Sequence, residues 1–222
     1  MKTGLRWLCH GAVLLGLLVL GPIGCRHGRQ APVPVQPQNV FVLTTQLPSL
    51  IRRVAVLPIS AEAAHAQAGA GSVQLQAVLS AEFGRSGRFE VVEISSEQMA
   101  RWTGRRSWPP EEPLPADFLA NIRAALDADA VLFAHLAAYQ PYKPLLIGWN
   151  LKLVETSSGY ILWAVDEVFD AADPAVAKSA ARYGRGGDTG WGRLGGEDAV
   201  LLSPSRFAQF TLGAAFGTLP DR

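Results

Sequence analysis

Cysteine is scarce in this 222-residue chain, with only Cys9 and Cys25 present. Cys9 sits in an apolar leader, so a processed chain keeps one thiol at most, which excludes an internal disulfide and a cysteine-rich metal site. Charge is sparse too, at 18% of residues against the usual quarter. Lysine supplies only 4 of the 20 basic side chains. The formal charge is +1, and it becomes −1 once Lys2 and Arg6 leave with residues 1–24. That balance gives no reason to expect nucleic acid or bulk attraction to an anionic membrane. Histidine is thin: beyond the leader stand His27, His65 and His135, with no two close together and no HExxH spacing. No internal repeat is visible.

What the chain does have begins with a leader. Lys2 and Arg6 precede the run LCHGAVLLGLLVLGPIG, about 17 residues long, which is the pattern of a secretory signal. It is at the lower limit for a membrane-spanning helix. Gly24-Cys25 follows and resembles a bacterial lipobox, with Pro22 where an aliphatic residue is usual. That resemblance implies that residues 1–24 are removed and that Cys25 is lipidated, palmitate included, and becomes the N-terminus. Residues 25–50 hold several prolines and glutamines, a composition that reads as a semi-extended tether.

The folded part is expected over 51–222. Val54-Ala55-Val56-Leu57-Pro58-Ile59 is a short apolar run suited to a strand covered on both faces. Ala61 to Gly71 reads as a loop, and the spacing of Leu75, Val78, Leu79, Glu82 and Phe83 predicts a helix. Phe89 to Ile94 is a strand, and Ser95-Ser96-Glu97 opens a short helix through Trp102. Residues 105–115 contain four prolines and no period, hence a surface loop. The stripe Phe118, Leu119, Ile122, Leu126 predicts another helix, and Ala130 to Tyr139 is apolar enough for a central strand.

The stretch LLIGWNLKLVETSSGYILWAVDEVF organises the rest. Ile147, Trp149, Leu151 and Leu153 alternate with Gly148, Asn150 and Lys152, then Thr156 to Gly159 supplies turn chemistry. In the second run Ile161, Trp163, Val165 and Phe169 fall on one face, with Tyr160, Ala164 and Asp166 on the other. This is an antiparallel hairpin whose apolar face needs helices over it. Asp173-Pro174 and Ser203-Pro204 are cap-plus-proline pairs that open two such helices. Residues 184–196 carry seven glycines and read as a mobile loop. The fold class is therefore α/β (α+β): one mixed sheet of about five strands, the hairpin towards its C-terminal side, and helices packed on it.

The order RRVAVLPI, helix, GRFEVV, helix, DADAVLFA, hairpin with SSGYILW is similar to a group of bacterial envelope lipoproteins. The group includes the lipoprotein activator of a penicillin-binding protein, the curli-secretion lipoprotein, a polysaccharide-export lipoprotein and the N-terminal domain of the Tol-system propeller protein. The resemblance covers about residues 51–170 and concerns structural positions, none of them an active-site residue. It implies a non-enzymatic assembly or activator module that binds another envelope component. It further implies anchoring through an N-terminal lipid, most simply in the outer membrane facing the periplasm, with no cofactor and no nucleic acid. A homo-oligomer is compatible with it. The alternatives are a ring-forming subunit of an export complex and, from another class, a cell-wall or polysaccharide hydrolase.

Chemistry-bearing residues weigh against the hydrolase. His135 in an apolar strand reads as a hydrogen-bonded structural histidine. Asp166 and Glu167 are strand neighbours and point to opposite faces, while Glu111-Glu112 sits in the proline-rich loop. The GRGGDTG run at 184–190 follows a helix and lacks the lysine of a phosphate loop. Arg182, Arg185 and Arg193 with Trp191 read as a solvated basic loop. The partner-binding candidates are Trp102 and Trp108 with Arg105 and Arg106, because Trp and Arg dominate binding energy at interfaces.

Overall fold

The computed structural model describes residues 35–61, 66–186 and 199–222. The leader, Cys25, His27 and His65, and the expected glycine-rich loop from residue 187 onward lie outside the described residues. So do the side chains of Arg185, Trp191 and Arg193. The described residues belong to one compact unit, Val33–Arg222.

Seven strands form a single mixed sheet, β1 (Val40–Val42), β2 (Arg53–Val56), β3 (Ser60–Ala61), β4 (Glu90–Glu93), β5 (Ala130–Gln140), β6 (Leu146–Glu155) and β7 (Ile161–Asp170). Their order is β1-β7-β6-β5-β2-β4, with β3 beside β5. β2 runs parallel to β4 and β5, whereas β5, β6, β7 and β1 are antiparallel in turn. The fold class is the expected one, with two more strands than expected. One addition is β1. Residues 40–42, placed in a tether on composition, pair with β7, and Leu47 is buried in the core.

Two crossovers decide which face each helix covers. The chain leaves β2 through α1 (Ala66–Arg85) for β4, then returns over β2 through α2 (Ser96–Thr103) and α3 (Phe118–Leu126) to β5. Crossovers of one hand run in opposite directions put their helices on opposite faces. Leu75, Leu79 and Phe83 of α1 accordingly join Val54, Val56, Leu132 and Ala134 in the larger core. Met99, Phe118 and Ile122 join Ala55, Leu57, Val131 and Phe133 in a smaller one. These strand residues alternate along one chain, as a sheet buried on both sides requires.

The larger core is completed by α4 (Pro174–Gly186) and α5 (Pro204–Phe216). Ala180, Phe207 and Phe216 cover Trp149, Leu151, Leu153, Trp163, Val165 and Phe169 of the hairpin. Each buried indole finds an acceptor: Trp149 Nε1 donates to Thr211 Oγ1 (2.9 Å) and Trp163 Nε1 to Thr218 Oγ1 (3.0 Å). Asp173 Oδ1 accepts from the Ala175 amide at 2.7 Å and Ser203 Oγ from the Arg206 amide, the two expected caps.

Local departures from expectation have identifiable causes. α1 starts at Ala66 rather than near Ser72, so Gly69 and Gly71 are helical. A Cβ on Gly71 would lie 2.6 Å from the Tyr139 ring, so the glycine lets helix and strand approach. In the hairpin, Leu153 pairs with Trp163 but Val154 with Ile161, which leaves Leu162 as an extra residue. This bulge buries Leu162 and turns Ile161 outward, against the alternation read from the sequence. Residues 184–186, read as loop, close α4.

Candidate functional site

The two helical layers are unequal. One face of the sheet is covered along its length, but α2 and α3 cover the other only over β2, β5 and the end of β6 at Val154. The same face of β6, β7 and β1 carries Asn150, Lys152, Ala164, Asp166, Val168 and Phe41. Phe41 is 49% exposed, Leu43 47%, Tyr160 66% and Val168 51%. Phe41, Leu43, Gly159, Tyr160, Ile161 and Ala164 line an open apolar groove that holds no charged side chain. A second, smaller one beside it is lined by Asn150, Lys152 and Asp166 with Phe41 and Ala164.

The proline-rich loop forms a wall beside this floor. Lys152 Nζ, rising from the sheet, donates to the Pro110 carbonyl at 3.0 Å. At the other end, Leu119 of α3 lies 3.9 Å from where a Gly159 side chain would begin. Gly159 itself has φ +74, the left-handed value that the hairpin turn requires. A bare sheet face thus meets a step one helical layer high.

The four partner-binding candidates separate in this wall. Trp108 is 7% exposed and anchors the loop inward, stacked in a tilted pair with Phe118 (5.8 Å), which reaches Phe133 in turn (6.1 Å). Its Nε1 donates to the Glu112 carbonyl at 3.4 Å. Arg105 lies 4.6 Å above the Trp108 ring and grips the Glu112 carboxylate with both terminal nitrogens, the second at 3.1 Å. That double hydrogen bond holds the Glu112 carboxyl below the usual range and raises the arginine. Trp108 and Arg105 therefore serve the loop's own structure. Trp102 is exposed and lines, with Phe118, Asn121 and Ile122, a pocket of about 190 Å³ between α2 and α3. Ligand pockets usually run from about 300 Å³ upward, so it suits one side chain rather than a substrate. Arg106 reaches Glu97 only at 4.0 Å, both side chains largely solvated.

Titratable groups elsewhere are tied into the scaffold. His135 Nδ1 lies 2.9 Å from Ser60 Oγ, a pairing not visible in the sequence. The Ser60 hydroxyl is buried and lies 3.2 Å from the Ala134 carbonyl as donor, so it links β3 to β5 and is shielded from any substrate. Glu167 accepts from the amides of Gln38 (2.6 Å) and Asn39 (3.3 Å), pinning the entry to β1, while Asp166 faces the bare side. Glu82 is buried in an ion pair with Arg85, and burial raises its carboxyl above the ordinary value. Among the described residues, no group of three His, Cys, Asp or Glu side chains could hold a metal ion. No described helix is long and apolar enough to cross a membrane.

No family model and no curated protein matches the chain. Solved structures do. The PelC dodecamer from Paraburkholderia phytofirmans is 16% identical with a TM-score of 0.47, covering 82% of this chain and 97% of that one. Lipoprotein GNA1162 from Neisseria meningitidis is 16% identical with a TM-score of 0.37, over 53% of this chain and 79% of that one. The LpoB C-terminal domain from Escherichia coli is 16% identical with a TM-score of 0.34, over 53% and 82%. The chain is thus similar at low identity to structures that include a bacterial lipoprotein.

Phe41, Leu43, Tyr160 and Ile161 were absent from the sequence-derived candidates. The available signal was the apolar run Val40-Phe41-Val42-Leu43, set between Gln38-Asn39 and Thr44-Thr45 in a proline-rich segment.

Proposed function

We propose that the protein is a non-enzymatic envelope lipoprotein, an assembly or activator module that binds another envelope protein on the uncovered face of its sheet. The observation that carries this reading is that face: Phe41, Leu43, Tyr160 and Ile161 stand exposed together beside the wall formed by the proline-rich loop. Contiguous apolar surface of this kind on a soluble fold marks an interaction site. Trp102 and Arg106 stay exposed on the helical layer and its loop and add aromatic and cationic surface of the types enriched at interfaces. The Gly24-Cys25 pair supports attachment to an envelope membrane through lipid at Cys25, and we place the protein on the periplasmic side, in the outer membrane.

Four measurements test this. Intact mass of the protein from membranes should show an acylated Cys25 as first residue; an unmodified N-terminus elsewhere ends the lipoprotein reading. A photo-crosslinking residue at Tyr160 in the full chain should yield one discrete adduct in living cells, and the same residue at Leu50 should not. Equal labelling from both positions would remove the face as the site. A closed ring in native mass would move the reading to the export subunit. Turnover of glycan by the pure protein would replace it with the hydrolase.

A further inference from the structure

The sheet ends at two edges, and they are built differently. At β4 the edge strand is Glu90-Val91-Val92-Glu93, with both glutamates exposed and Arg53 ion-paired to Glu90 at 2.9 Å. Charged side chains on an edge discourage pairing with another strand. At the opposite edge β1 is Val40-Phe41-Val42, with no proline, no charge and no bulge. The uncharged stretch around it extends from Gln30 to Ile51. Among the described residues only β7 pairs with β1.

The hydrogen-bond parity of β1 states what would fit there. The Leu43 amide donates to the Leu162 carbonyl (3.0 Å) and the Asp166 amide to the Asn39 carbonyl (3.1 Å). Odd-numbered residues thus aim their backbone groups at β7, so Val40 and Val42 aim theirs outward. We infer that β1 pairs antiparallel with β1 of a second copy of this chain about a two-fold axis through Phe41. In that register Val40 meets Val42 of the other copy, and each such pair exchanges both backbone hydrogen bonds. Shifting the axis to Val40 or Val42 would need outward groups from residue 38 or 44. The Gln38 amide is occupied by Glu167, and the strand ends at Val42.

Side-chain direction agrees. Phe41 pairs with Ala164 and therefore lies on the uncovered face, half exposed. Across the axis it meets its own copy in the non-hydrogen-bonded position, where Cα atoms approach to about 4.5 Å and aromatic pairs are favourable. A two-fold axis sets the residues lying on it against their own copies, and this strand carries no charge that would be repelled there. The pairing is isologous and closes at two copies, joining two sheets and two bare faces into one surface. It does not depend on which envelope protein that surface takes.

The test uses the full chain in membranes, with Phe41→Cys and oxidation by copper phenanthroline. The separation at this position falls within the range a disulfide spans. The expected result is a product at twice the monomer mass, well above that of the unaltered chain, in which Cys25 is the one thiol processing could leave and sets the background. Leu50→Cys, 77% exposed and off the edge, should stay monomeric. Adding Val42→Pro removes an outward amide and no internal bond, so the product should fall at least tenfold with an unchanged melting curve. An Phe41→Cys chain that stays monomeric, or a product indifferent to Val42→Pro, overturns the pairing. An adduct of any other mass also overturns it while leaving the proposed binding face standing.

Discussion

Trp163 and Lys152 sit on adjacent strands and point to opposite sides of the sheet, so they measure the two faces separately. Trp163 is fully buried against Phe216, and its indole is bonded to Thr218. Trp163→Ala should cost about 3–5 kcal/mol in a urea titration, as large core truncations do. Lys152→Ala loses one hydrogen bond to Pro110 and should cost only about 0.5–1.5 kcal/mol. Equal costs would mean that the faces are assigned wrongly. Glu82 gives a pH signature. Burial raises its pKa in the folded state despite Arg85, so from about 4.5 upward the native chain binds more protons at this site than the unfolded one. Its contribution to stability is therefore present at low pH and lost as pH rises through the folded value. Glu82→Gln should flatten the fall in melting temperature over that window. Parallel curves for the two proteins would show that Glu82 does not titrate as its burial requires.

Elements differed in how much of them a reader of the sequence sees. The hairpin, α3 and the caps at Ser95, Asp173 and Ser203 rest on local pattern, and each formed where the pattern placed it. The bulge at Leu162 was invisible, because it is a property of pairing between strands and leaves no mark in one strand's alternation. β1 was hidden for a related reason: three residues among prolines have no period, and only β7 makes them a strand. The proline-rich loop misled most. Trp108 stands among the partner-binding candidates because Trp and Arg dominate binding energy at interfaces, yet its ring packs on Phe118, which in turn meets Phe133. A triple variant at Trp108, Arg105 and Arg106 would therefore not spare the fold. Trp108→Ala alone should cost about 3–5 kcal/mol, while Arg106→Ala should stay within about 0.5 kcal/mol, both read by chemical denaturation. A Trp108→Ala protein as stable as the parent would show that the loop is not anchored through this ring. Gly71→Ala belongs here too, since its Cβ would press on the Tyr139 ring at 2.6 Å. Overpacking of that kind costs about 1–3 kcal/mol unless the half-buried ring swings aside.

At the scale of the molecule, the sheet is a three-layer structure on one side of its width and a two-layer structure on the other. Stability should reside in the face covered by α1, α4 and α5, and surface function in the part of the other face that no helix covers. Charge placed on each side makes the division measurable. Leu43→Lys with Ile161→Lys puts two ammonium groups on side chains already 47% and 38% exposed. Little burial is lost, so the penalty should stay within about 1 kcal/mol, a melting shift of roughly 2–4 °C for a domain of this size. Leu151→Lys, by contrast, buries an unpaired charge under Phe207 and Ala208 of α5 and should leave no folded protein to melt. The same Leu43→Lys and Ile161→Lys pair should abolish the adduct formed from Tyr160 in cells, because two desolvated charges would have to enter the contact. A double variant that melts normally and still yields the adduct would show that the bare face is ordinary solvated surface. Binding would then have to be sought at Trp102 and Arg106.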